Sequence, residues 1–94
     1  MASANHEKST SHIGATSSHA QRARLLKRLQ LGPVDTLTAR SELNILMPAA
    51  RIKELKNLGY DIRTYRITLT DQQGNTHHGI ALYYLPTVVR MLAA

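Results

Sequence analysis

The side chains able to do acid–base, nucleophilic or metal chemistry are few and poorly grouped. His6, His12 and His19 are widely spaced along a Ser-, Thr- and Ala-rich N-terminal stretch whose single acidic residue is Glu7, and His77 and His78 are adjacent. Neighbouring strand residues point to opposite faces, so the adjacent pair makes a poor metal site. The six carboxylates are scattered, and no nucleophile-elbow glycine pattern or Walker-type glycine loop is present. With no cysteine there is neither a disulfide nor a thiolate metal site. The inventory reads as a non-enzymatic chain with no metal, no cofactor and no small-molecule ligand.

Positive charge is the resource the chain does have. Twelve Lys and Arg oppose six Asp and Glu, a formal charge of +6 in 94 residues, and ten of the twelve cations fall between Arg22 and Arg66. A compact cationic domain favours polyanions, because each neutralised phosphate releases condensed counterions. No apolar run approaches the roughly 20 residues that span a bilayer, and the N-terminus lacks the apolar core of a secretory signal. The expected location is cytoplasmic and nucleoid-associated, without a membrane partner.

These cations must be positioned by a small set of elements. Residues 1–19 carry one large aliphatic, Ile13, and read as a disordered polar tail. A helix starts after Ser17 or Ser18 and runs through AQRARLLKRLQ, with Leu25, Leu26 and Leu29 on one face and Arg24, Lys27 and Arg28 on the other. Gly32 and Pro33 stop it. A shorter helix follows Leu37-Thr38, with Thr38 as its cap, and Asn44 suits a tight turn. The third helix begins near Pro48, covers PAARIKELKNL and ends at Gly59, with Ile52 and Leu55 facing inward.

Period two then replaces the helical period. Residues 61–70 place Tyr65, Ile67 and Leu69 on one side and Arg66 and Thr68 on the other. Residues 71–75 form a turn, and 77–85 a second strand that Pro86 ends. Its inward face is either Ile80, Leu82 and Tyr84 or Ala81, Tyr83 and Leu85. The four tyrosines, at 60, 65, 83 and 84, read as core rather than as stacking platforms for single-stranded bases. Residues 86–94 form a tail or short helix, whose Val88, Val89, Met91 and Leu92 suit pairing of two copies as a homodimer.

Leu37-Thr38, Glu42-Leu43, Ala50-Arg51-Ile52 with Leu55, Gly59-Tyr60 with Ile62, and Tyr83-Tyr84-Leu85 together resemble the winged helix-turn-helix domain of small prophage, phage and plasmid proteins of bacteria. The resemblance implies an α+β fold over residues 20–85, three helices followed by a two-stranded β-hairpin wing. It implies double-stranded DNA as partner, in transcription regulation or as an accessory factor of replication, excision or packaging. In such a fold the third helix, here 48–58, enters the major groove with its N-terminal half against base edges.

Candidate DNA contacts on that helix are Ala50, Arg51, Lys53, Lys56 and Asn57. Arg40 is placed at the phosphates, and Asn75, His77 and His78 on the wing. Pro48, Ala49 and Ala50 offer only apolar contact, to a thymine methyl. Two readings stand for Arg51: bidentate contact to a guanine, or the ion pair with Glu42 that the family pattern implies. A protein-interaction module on the same fold is the alternative to DNA binding. Neutralising about five phosphates gives a slope of log K on log salt near −4.5. A gel-shift series over salt checks that value, and no binding to any duplex at low salt rejects the reading.

Overall fold

The computed structural model describes residues 16–93. In chain order the elements are α1 (Ser18–Leu29), β1 (Val34–Asp35), α2 (Thr36–Glu42), α3 (Pro48–Asn57), β2 (Arg63–Thr70), β3 (Thr76–Tyr84) and α4 (Pro86–Ala93). Of the tail expected over 1–19, residues 1–15 lie outside the described residues; Ser17 caps α1, and Ser18 and His19 belong to it.

Each helix boundary has a local cause. The Ser17 hydroxyl accepts from the Ala20 amide at 3.1 Å, and Lys27 and Arg28 occupy the last turn of α1, at the negative end of its dipole. The cap of α2 is Asp35 rather than the expected Thr38. Its Oδ1 accepts from the Thr38 amide at 2.8 Å, and its Oδ2 from the Thr38 hydroxyl at 2.6 Å. An ionised carboxylate outcompetes a hydroxyl for an unpaired helix amide, so the helix opens three residues earlier. Pro48 begins α3, where its missing N–H costs nothing. At the other end Gly59 takes φ 105°, so its amide reaches the Lys56 carbonyl and the Tyr60 amide reaches that of Leu55.

The three core-forming helices and one face of the sheet share a single core. Leu25 and Leu29 of α1, Ala39 of α2, Ile52 and Leu55 of α3, and Val34, Ile45, Ile62, Ala81 and Tyr83 are all buried. Ile45 sits in the turn between α2 and α3, which Asn44 closes with φ 55°. Arg24, expected in a solvated stripe, instead reaches across that turn, donating from Nε to the Leu43 carbonyl at 2.9 Å.

The sheet has three antiparallel strands in the order β1-β3-β2, one more than the expected hairpin. β1 is two residues long, too short for alternation to show in sequence; Val34 pairs with Tyr83 and Asp35 with Leu82. The inward face of β3 is Ala81 and Tyr83, and Leu85 just past its end packs against the same core. The expectation that all four tyrosines are core fails at Tyr65, which is 64% exposed, and at Tyr60, also exposed. β2 is an edge strand, and the helices cover only one face of the sheet. Its Tyr65, Ile67 and Leu69 therefore lie on the outer face, opposite Leu82, Ile80 and His77. Between Ile67 and Leu69 the register slips by one residue, leaving His78 and Gly79 opposite Thr68. Gly79 holds φ 67° in this bulge, a conformation that a Cβ disfavours.

Replacing Asp35 by Ala removes both acceptors from the start of α2. The expected loss is about 1 kcal/mol of unfolding free energy, at the usual size of an N-cap deletion. Urea denaturation checks it. Thr38→Ala, which leaves the amide contact in place, is expected to cost less.

Candidate nucleic-acid interface

The outward side of α3 is set by what its inward side must bury. Pro48, Ile52 and Leu55 are buried, so Ala49, Lys53, Lys56 and Asn57 face solvent. Ala50, expected at the surface, is half-buried, as is Arg51.

Arg51 is occupied. Its Nη2 lies 2.9 Å from Glu54 Oε2, and its Nη1 donates to the Ser18 hydroxyl at 2.9 Å and to Gln21 Oε1 at 3.5 Å. The other Glu54 oxygen lies 2.8 Å from Arg22 Nη1. One carboxylate thus joins α1 to α3 through two guanidinium groups. The pair expected between Arg51 and Glu42 is not formed, and Glu42 is exposed at the end of α2. The reason is reach: Glu54 lies one turn along the helix from Arg51, where residues three apart are neighbours. The Arg22 hydrogen bond, with both guanidinium charges, holds the Glu54 carboxyl below the ordinary glutamate value of 4.5. Arg22 carries no local sequence signal for this role, because its partner is 32 residues away.

The free cations of α3 face the wing. A groove of about 230 Å³ between α3 and the sheet is lined by Ala49, Lys53, Lys56, Thr64 and Arg66, with Ile52 and Tyr83 as its floor. Arg66 Nη1 donates to the Gly79 carbonyl at 3.2 Å, so the bulge orients the guanidinium. Lys53 and Lys56 were anticipated in this role; Thr64 and Arg66 were not. The alternation of β2 separates Arg66 from Tyr65 and Ile67, but only the tertiary fold brings that face to α3.

The remaining anticipated residues are placed as follows. Arg40 is exposed, and its Nε donates to the Leu46 carbonyl at 3.2 Å. Asn75 is exposed in the wing turn. His77 is half-buried and its Nε2 lies 2.8 Å from Asp71 Oδ2, while His78 is exposed with Nδ1 3.4 Å from the Thr68 hydroxyl. Asp71 Oδ1 also accepts from the Gln73 and Asn75 amides, at 3.0 and 2.9 Å. These bonds, the one from His77 foremost, hold its carboxyl below the ordinary aspartate value of 3.8. Asp71, Asp35 and Glu42 line a different cleft, between α2 and the wing tip. The carboxylates that could oppose the cations of the α3 groove therefore lie elsewhere or, like Glu54, are already paired.

Three helices, a braced turn before an exposed cationic helix, and a hairpin beside that helix form a recognisable unit. A family model described as a winged helix-turn-helix domain matches residues 20–88. The chain belongs to this family. Domains of the winged helix-turn-helix family generally bind DNA. No curated protein and no solved structure matches the sequence. No helix among the described residues is long and apolar enough to cross a membrane.

The Glu54 bridge has a pH signature. A carboxyl whose folded value is depressed stabilises the fold fully above its unfolded value, near 4.5, and loses that contribution as pH falls through the lower folded value. The urea midpoint of the unmodified chain is therefore expected to drop below about pH 4.5. Glu54→Gln is expected to lower the midpoint at neutral pH, with the gap closing in acid. Parallel midpoint curves for the two proteins would contradict this role.

Proposed function

We propose that this winged helix-turn-helix domain binds double-stranded DNA without catalysis, α3 lying in the major groove and one phosphate backbone running along the groove between α3 and the wing. The observation that carries the reading is the convergence of Lys53, Lys56 and Arg66 on that single groove. Three cations from two elements, with the Thr64 hydroxyl beside them, match a line of phosphates better than they match a small anion.

Arg40, Asn57, Asn75 and His78 are exposed and available for further contacts to the duplex. Arg51 and His77 are committed to Glu54 and Asp71, and their role is to hold α3 and the wing tip in place. These contacts fit a regulator or an accessory factor of DNA transactions.

Self-association is the second reading, and α4 motivates it. Met91 and Leu92 are 71% and 63% exposed, and Leu92 lies against Gly32, next to the equally exposed Leu31. That apolar cluster is suited to a second copy. Leu92→Lys is expected to abolish any concentration-dependent mass in sedimentation while leaving DNA binding by the single chain intact.

Salt titration tests the main reading. Each phosphate contact adds about 0.9 to the magnitude of the slope of log K against log salt. Lys53→Ala, Lys56→Ala and Arg66→Ala are each expected to reduce the slope by about that amount. Arg90→Ala, on α4 and outside the groove, is expected to leave it unchanged. Equal slopes for all four variants would exclude the groove as the phosphate track.

A further inference from the structure

Resting on the DNA-binding reading, we propose that the base-reading end of α3 selects thymine by its C5 methyl group, through Leu46 and Met47. Helices of this kind present their N-terminal residues to base edges. Here that end is apolar without interruption: residues 45–50 read Ile, Leu, Met, Pro, Ala, Ala. Ile45 and Pro48 are buried, which leaves Leu46 at 78% and Met47 at 60% exposure, with Ala49 exposed beside them. Leu46 and Met47 thus stand side by side as an exposed apolar pair just ahead of α3.

The first three residues of α3, Pro48, Ala49 and Ala50, carry no hydrogen-bonding side chain. Arg51, the first polar residue of α3, is held by Glu54 and Ser18. Lys53 turns into the wing-side groove with Lys56 and Arg66, where contact to phosphates carries no sequence information. Among the groups a base pair shows in the major groove, the thymine methyl is the one an aliphatic side chain can recognise.

The apolar end is also fixed in place. Arg40 Nε donates to the Leu46 carbonyl, the Ile45 amide to the Ala39 carbonyl at 3.2 Å, and the Ile45 side chain is wholly buried. Leu46 and Met47 are thus carried on an anchored turn. A contact made from such a turn distinguishes the presence of a methyl from its absence.

The test is fluorescence anisotropy with the full chain and four duplexes: an A·T-rich one, the same duplex with every thymine replaced by deoxyuridine, and a G·C-rich one with and without 5-methylcytosine. Covering one methyl is expected to raise affinity about fourfold, so deoxyuridine weakens binding by at least that factor and 5-methylcytosine strengthens it. A Leu46→Ser/Met47→Ser variant, altered only at exposed positions, is expected to keep its salt slope and lose the thymine preference. Equal affinity for the thymine and deoxyuridine duplexes overturns the proposal and leaves DNA binding standing. A preference that survives undiminished in the double variant also overturns it, because it then comes from duplex shape. Failure to bind any duplex at low salt removes the DNA reading itself, and this proposal with it.

Discussion

The constraint that organises this molecule is that α3 must be held firmly on one side and left bare on the other. Pro48, Ile52 and Leu55 anchor it by burial, but three apolar side chains on one stripe of a ten-residue helix fix its depth better than its rotation. The rotation is set by Glu54, whose two oxygens meet Arg22 from α1 and Arg51 from α3 itself. Both partly exposed ion pairs are individually weak. Their value here is directional. A shared carboxylate ties α3 to α1 at a defined angle, and the lysines then point toward the wing rather than along the helix bundle.

The wing completes the same arrangement from the other side. Tyr83 and Ala81 seat the sheet on the core, which leaves Thr64 and Arg66 facing α3. The bulge at Gly79 supplies the carbonyl that aims Arg66, and Asp71 gathers the tip by accepting from two backbone amides and from His77. Most polar side chains near the interface are thus committed to shaping it. A small cationic set is left for a partner, and the apolar residues at the start of α3 remain for discrimination.

Much of this was legible in the sequence, because much of it is local. Period 3.6 gave way to period two at Gly59, Pro48 and Gly59 bracketed α3, and Asn44 marked the turn. Lys53, Lys56 and Asn57 follow from the buried positions of Ile52 and Leu55 by helix geometry alone. What was not legible depends on tertiary proximity. Arg22 and Glu54 meet across 32 residues, Arg24 reaches the carbonyl of Leu43, and Arg66 joins the lysines only after the sheet has packed. The Glu42–Arg51 pairing failed for a related reason: Arg51 has a closer carboxylate on its own helix. Tyr65 shows the limit of alternation, which separates the two faces of a strand without saying which face the helices cover.

The free long edge of β2 has a further consequence. An eight-residue strand with one side unpaired is a template on which another chain can add, especially with Tyr65 and Ile67 on its outer surface. Arg63 and Arg66 along the strand and the kink opposite Thr68 work against such addition, since like charges repel and a bent edge pairs badly. The cations of the wing therefore guard against aggregation whenever no polyanion occupies them. Stripping them to silence nucleic-acid binding exposes a sticky ribbon, and the loss of solubility that follows is a property of the edge, separate from the stability of the core.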